Sequence, residues 1–143
     1  MTVAEVEVRR ARRFGWTSLA CWALLGLALE IAHGFKLAGY LDDTSTRTLL
    51  RLGHAHGVLL SLAVLIYSVA GAPLLADRAD GGRRTGRFLR AAAVLIPTGF
   101  TLGAIHPTEA DPSVGIFLVP AGAAALMAGL VLLAAAAWRH KQT

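Results

Sequence analysis

Arg51-Leu52-Gly53-His54-Ala55-His56-Gly57 leads into a run of 20 residues, Gly57 to Ala76, that carries no charge. A helix rises about 1.5 Å per residue, so a run of this length crosses the hydrocarbon of a bilayer. A strand is excluded, because a backbone in lipid has to satisfy its own hydrogen bonds. The stretch therefore places two imidazoles at the mouth of a membrane span. Ionisable groups are costly there and usually functional.

The same pattern recurs on both sides of this run. Spans are predicted over about 16–37, 53–76, 87–106 and 112–138. Residues 1–143 then form a single all-α domain, an integral membrane four-helix bundle. The chain is 55% hydrophobic and 16% charged, and its charges gather at the ends of the apolar stretches, as in a polytopic membrane protein. Its one cysteine, Cys21, lies in an apolar run and excludes a disulfide framework or a cysteine metal site. A pI near 10.4 would suit a nucleic-acid binder. Here the excess arginine flanks hydrophobic segments, which is an orientation signal. The implied partner is the lipid bilayer, with no nucleic acid. A basic N-terminus before an apolar stretch also suggests a secretory signal. The stretch from Trp16 to about Leu37 is longer than the roughly 7–15 apolar residues of such a signal, so a retained helix is expected.

Basic residues set the orientation. Arg9, Arg10, Arg12, Arg13, Arg78, Arg83, Arg84, Arg87, Arg90, Arg139 and Lys141 make eleven of the fourteen on one side. By the positive-inside rule that side is the cytoplasm, so both termini are cytoplasmic and the topology is up-down-up-down in a bacterial-type inner membrane. Trp16 and Trp138 fit the inner aromatic belt. The Gly-Gly loop between spans two and three lacks the phosphate-loop pattern and reads as a basic turn facing lipid. Asp111-Pro112 reads as N-cap and first-turn proline of the last helix, and Asp42 and Asp43 as loop-solvating charges.

This topology collects four of the five histidines at the outward face. His140 lies in the cytoplasmic tail and is given no role. Helical phase aligns Gly26, Glu30 and His33 on helix one, His54, Gly57, Ser61 and Leu65 on helix two, and Gly99, Gly103 and His106 on helix three. Small residues mark faces where membrane helices approach closely. Glu30, His33, His54 and His106 are therefore expected to converge between three helices. Gly115, Gly122 and Gly129 form a fourth small-residue stripe without ligand-type residues. His56 stands about 200 degrees from His54 in a regular helix and joins the site only if Gly53 and Gly57 let that turn depart from helical geometry.

The donor set, Glu30, His33, His54, His56 and His106, suits a transition metal: copper, iron or zinc. Glu30-x-x-His33 has the spacing by which bundle helices present ligands to iron, but it occurs once, where a di-metal centre uses two copies. The leading expectation is an inner-membrane metal-binding protein with its site facing the periplasm. A haem b protein for electron transfer or gas sensing is the alternative, with axial ligands drawn from His54, His56, His33 and His106. Two further readings stand beside these: a proton-coupled transporter titrating at Glu30, and a packing subunit of a larger membrane complex. Metal identity, substrate, any enzyme activity and any homo-oligomer stay open at this level.

His54-Ala55-His56-Gly57-Val58-Leu59-Leu60 resembles the His-x-His-containing helix starts of haem-copper-oxidase-like membrane proteins and of the related nitric-oxide-response family. The resemblance covers about seven of the 143 residues and implies His54 or His56 as a ligand to haem iron or another metal. The chain lacks the paired histidines on a later helix that complete the copper site of those families.

Overall fold

The computed structural model describes residues 2–75, 79–105 and 111–140, all-helical apart from short connections and with no strand among the described residues. Helix α1 (Val3–Gly34) is followed by a single turn, α2 (Ala38–Leu41), and by α3 (Thr44–Ile66). The chain then widens into a π turn over Tyr67–Gly71 before the short α4 (Ala72–Leu74). Helix α5 (Ala79–Gly103), a 3-10 turn (Val114–Phe117) and α6 (Leu118–His140) complete it.

Three helices begin earlier than their apolar residues suggest: α5 starts at Ala79, so Gly81 and Gly82 are helical and not a turn, and the other two are extended by side-chain caps. Thr2 and Glu5 form a capping box: the Thr2 hydroxyl accepts from the Glu5 amide at 3.2 Å, and the Glu5 carboxylate accepts from the Thr2 amide at 2.8 Å. This starts α1 well before Trp16, so Arg9, Arg10, Arg12 and Arg13 are helical. Asp43 is the N-cap of α3, accepting from the amides of Ser45 at 2.8 Å and Thr46 at 3.1 Å. It is thus a structural cap rather than a solvating loop charge. As a result, Arg51, His54 and His56 lie well inside α3, with a full turn of helix on either side. Asp111-Pro112 does not open the last helix. The extended residue before the 3-10 turn is Ser113, and its hydroxyl donates instead to the Leu102 carbonyl at the end of α5.

Helix α1 ends in a Schellman motif. Lys36 takes the left-handed position with φ 53°, its amide donates to His33 O at 3.1 Å, and the Leu37 amide donates to Ala32 O at 3.0 Å.

Among the described residues, three helical segments are long and apolar enough to cross a membrane: Val3–Gly34, Thr44–Leu74 and Val114–Arg139. Helix α5 opens with Asp80, Arg83, Arg84, Arg87 and Arg90 before its apolar half. Large apolar side chains face outward along the other three, among them Leu24, Leu27, Ile66, Val69, Met127 and Val131. That coat suits a lipid environment.

Each long helix packs chiefly on its neighbours in sequence, α1 on α3, α3 on α5 and α5 on α6, while α1 and α6 share no substantial contact. The arrangement is a row rather than a closed ring. Glycines set its close approaches. Gly115, Gly122 and Gly129 of the last segment all meet α5, at Leu102, Ile96 and Leu89. Gly99 and Gly103 of α5 meet Val119 and Ile116 in return. The core lies between α1, α3 and α5, around Ala11, Val64, Tyr67, Leu89, Ala92 and Ala93.

Candidate functional site between the first two long helices

Helices α1 and α3 run antiparallel, and the contacts along their seam form one sequence. Gly15 meets Leu65, Ser18 meets Ser61, Trp22 lies over Gly57, and Gly26 lies under the ring of His54. Ser61 donates to Gly57 O at 2.6 Å, and its oxygen stands 2.8 Å from Ser18 Oγ. A Cβ at Gly26 or Gly57 would collide with the ring that lies there. These glycines therefore admit the aromatic side chains of the opposite helix; they do not distort α3, which stays regular through Gly53-His54-Ala55-His56-Gly57.

Regular helix separates the two histidines. His54 turns to α1 and His56 turns to α5, where its ring packs on Phe100 at a tilt of 36°, with centroids 5.0 Å apart. Gly53, on the His56 side, faces Pro97 and Thr101 of α5. Both imidazoles are fixed in the same way. His54 Nδ1 lies 2.8 Å from Trp22 O, and His56 Nδ1 lies 2.8 Å from Leu52 O. A carbonyl only accepts, so each Nδ1 carries a proton, and the neutral form of each ring has its lone pair on Nε2. Neither Nε2 has a hydrogen-bond partner among the described residues.

His54 opens onto a groove of about 380 Å³ between α1 and α3. Leu19, Ala23, Leu27 and Val58 give it apolar walls, and Glu30 and Arg51 line it with His54. Glu30 is exposed along this groove, not enclosed between helices, and forms no ion pair with Arg51. His33 is also exposed and points its ring edge-on to Tyr40, with centroids 6.5 Å apart. His106 lies outside the described residues.

Of the expected site residues, Glu30 and His54 thus share a groove, joined by Arg51, while His33 and His56 face elsewhere. Among the described residues no three His, Cys, Asp or Glu side chains stand together as a metal centre needs. The sequence reading assigned Gly99 and Gly103 to the face of the site, but they pack on the start of the last helix.

A second polar cluster lies at the other end of α1, where no site was expected. Glu7 is 3% exposed and forms an ion pair with Arg90 of α5. Tyr67 donates to Gly82 O at 2.6 Å nearby, and the buried Thr85 hydroxyl has no partner among the described residues. Its sequence signal is the α1 stripe Gly26, Trp22, Ser18, Gly15, Ala11, which reaches Glu7 at its next step.

Comparison with known protein families, with curated proteins and with solved structures finds no match.

Proposed function

We propose that this chain is an inner-membrane protein of four spans, up-down-up-down with both termini in the cytoplasm, and that the α1–α3 groove holds one haem b on His54. The observation that carries the reading is the bond from His54 Nδ1 to the Trp22 carbonyl, at 2.8 Å. Metal-ligating histidines are held by such a bond at the second ring nitrogen, which fixes the tautomer and makes Nε2 more basic. One proximal imidazole is enough to hold haem iron, whereas a bare transition metal needs three or four protein ligands. The apolar walls suit a macrocycle, the Arg51 guanidinium suits a propionate, and Gly26 lets the ring lie close to the α1 backbone. Haem would supply one-electron or diatomic-gas chemistry at this position. The chain would supply the iron ligand, the apolar walls and, at Glu30, a carboxyl at the groove.

The test is an absorption spectrum with elemental analysis of the purified protein. A Soret band with one iron per chain, lost in His54→Ala and kept in His56→Ala, is the expected result. Stoichiometric copper, iron or zinc without a Soret band would replace haem by a metal centre built on Glu30 and His54 of the same groove. Neither metal nor haem would leave the groove to proton-coupled transport through Glu30 or to a packing role in a larger complex.

A further inference from the structure

A second cleft, of about 480 Å³, lies beside the N-terminal part of α1. Its walls are Val8, Arg9, Arg12 and Arg13 of α1 and Pro73 of α4, with Glu5 at one edge. We propose that this cleft binds the phosphate headgroup of an anionic phospholipid, with phosphatidylglycerol as the simplest example.

Charge, position and shape carry the argument. Arg9, Arg12 and Arg13 stand three and four residues apart, so their side chains share one helix face. The carboxylate in the cleft lining, Glu5, accepts from the Thr2 amide in the capping box. Arg12 and Arg13 are exposed and make no ion pair with a carboxylate among the described residues. A guanidinium offers a planar pair of donors that matches a phosphate.

The position is that of a lipid headgroup. Trp16 follows Arg12 and Arg13 by one turn on the same face and is 65% exposed, as an interfacial tryptophan is. On the other wall, the steps from Pro73 back to Val69 and Ile66 keep to one helix face, and both side chains are exposed. The arginine pocket thus has exposed apolar side chains further along both of its helices, Trp16 on α1 and Val69 and Ile66 before Pro73. A free phosphate needs only the pocket, whereas a phospholipid uses both. Basic pockets between helices at a membrane surface are where anionic headgroups bind, and each arginine contributes about a fivefold gain in affinity.

The experiment is native mass spectrometry of the full chain in detergent, titrated with dioleoyl phosphatidylglycerol or dioleoyl phosphatidylcholine. The expected result is one retained phosphatidylglycerol per chain and no retained phosphatidylcholine. Arg12→Gln and Arg13→Gln should each weaken retention about fivefold, while Arg139→Gln, at the far end of the chain, should not. The exposed positions leave helix content unchanged, which circular dichroism checks. Val8→Trp, which fills the cleft and keeps every arginine, should expel the lipid as well. Equal retention in wild type and both arginine variants would overturn the proposal. So would equal retention of phosphatidylcholine. Displacement of the lipid by millimolar inorganic phosphate would assign the arginines to a soluble anion instead.

Discussion

Glu7 and Arg90, 83 positions apart in the chain, form a buried ion pair that ties the N-terminal part of α1 to α5. Gly86, one turn before Arg90, leaves room for the carboxylate, because any Cβ there would meet Glu7 Oε1. A second, looser bond joins Arg90 Nη2 to Glu7 Oε2 at 3.5 Å. Taking two charges out of water offsets most of their attraction, so the pair specifies an arrangement more than it stabilises one.

That balance makes a sharp prediction. Glu7→Ala strands the arginine charge and should cost about 3 kcal/mol, whereas the double variant Glu7→Leu with Arg90→Leu should come close to wild type. Unfolding midpoints in mixed micelles measure both. A Glu7→Ala variant as stable as wild type would mean that Arg90 escapes to water at no cost.

Much of the helix map was legible because the apolar runs are long and proline, glycine and acidic residues punctuate them. The α1–α3 seam was legible in part: of the stripe Gly26, Glu30 and His33, Gly26 meets His54, whereas Gly57, Ser61 and Leu65 meet Trp22, Ser18 and Gly15 further back along α1. Helix phase cannot say which neighbour a stripe will meet. Gly99 and Gly103 look as suited to α3 as to the last helix, and only the row-like packing assigns them. Glu7 was hidden for another reason. The α1 stripe reaches it, but its partner comes from a helix 83 residues away, so local pattern does not show what Glu7 meets.

Orientation gives a second test. A reporter fused after Thr143, or placed within residues 79–85, should read cytoplasmic, and one within residues 42–47 should read periplasmic. The arginine bias is the cause. Reversing the charges of Arg9, Arg10, Arg12 and Arg13 together should produce a mixed population. An external C-terminus in the wild type would place the His54 groove towards the cytoplasm.

Asp43 should make the start of α3 sensitive to acid. Its carboxylate accepts from the Thr46 hydroxyl at 2.7 Å, then from the Thr46 and Ser45 amides, and these bonds hold its pKa below the ordinary 3.8. A folded pKa below the unfolded one means that the cap contributes stability above the unfolded value. The contribution is lost as pH falls through the folded value. Amide exchange at Ser45 and Thr46, corrected for intrinsic rates, should therefore accelerate in strong acid. Asp43→Asn keeps an accepting oxygen and should remove the pH dependence, and Asp43→Ala should expose both amides at every pH. Equal protection in all three proteins would show that the carboxylate is not what closes the turn.

Lys36 offers a stabilising substitution. Its φ of 53° is left-handed, which costs a side-chain-bearing residue about 1 kcal/mol relative to glycine. Lys36→Gly should raise stability by about that amount, because the backbone bonds of the motif do not use the side chain. A decrease would mean that the lysine ammonium contributes more at the C-terminal end of α1 than its backbone strain costs.

The contact between Gly26 and His54 allows the groove to be tested without touching the imidazole. In Gly26→Ala the new methyl strikes the His54 ring, which has to rotate away from the Trp22 carbonyl. The tautomer is then no longer held, and loss of such an orienting bond typically weakens a metal ligand about 10- to 100-fold. Gly39→Ala is the matched control, because nothing stands within 4 Å of a Cβ at that position. Haem retention on dilution, read from the Soret band, should fall in Gly26→Ala and hold in Gly39→Ala. The proton on His54 Nδ1, followed by nitrogen NMR, should lose its slow exchange in the first variant alone. If haem is retained while that proton is released, another residue holds the iron and His54 only packs the seam. If the proton stays protected in Gly26→Ala, the seam has yielded instead of the ring, and widening of the α1–α3 contact should then appear as faster amide exchange around Gly57.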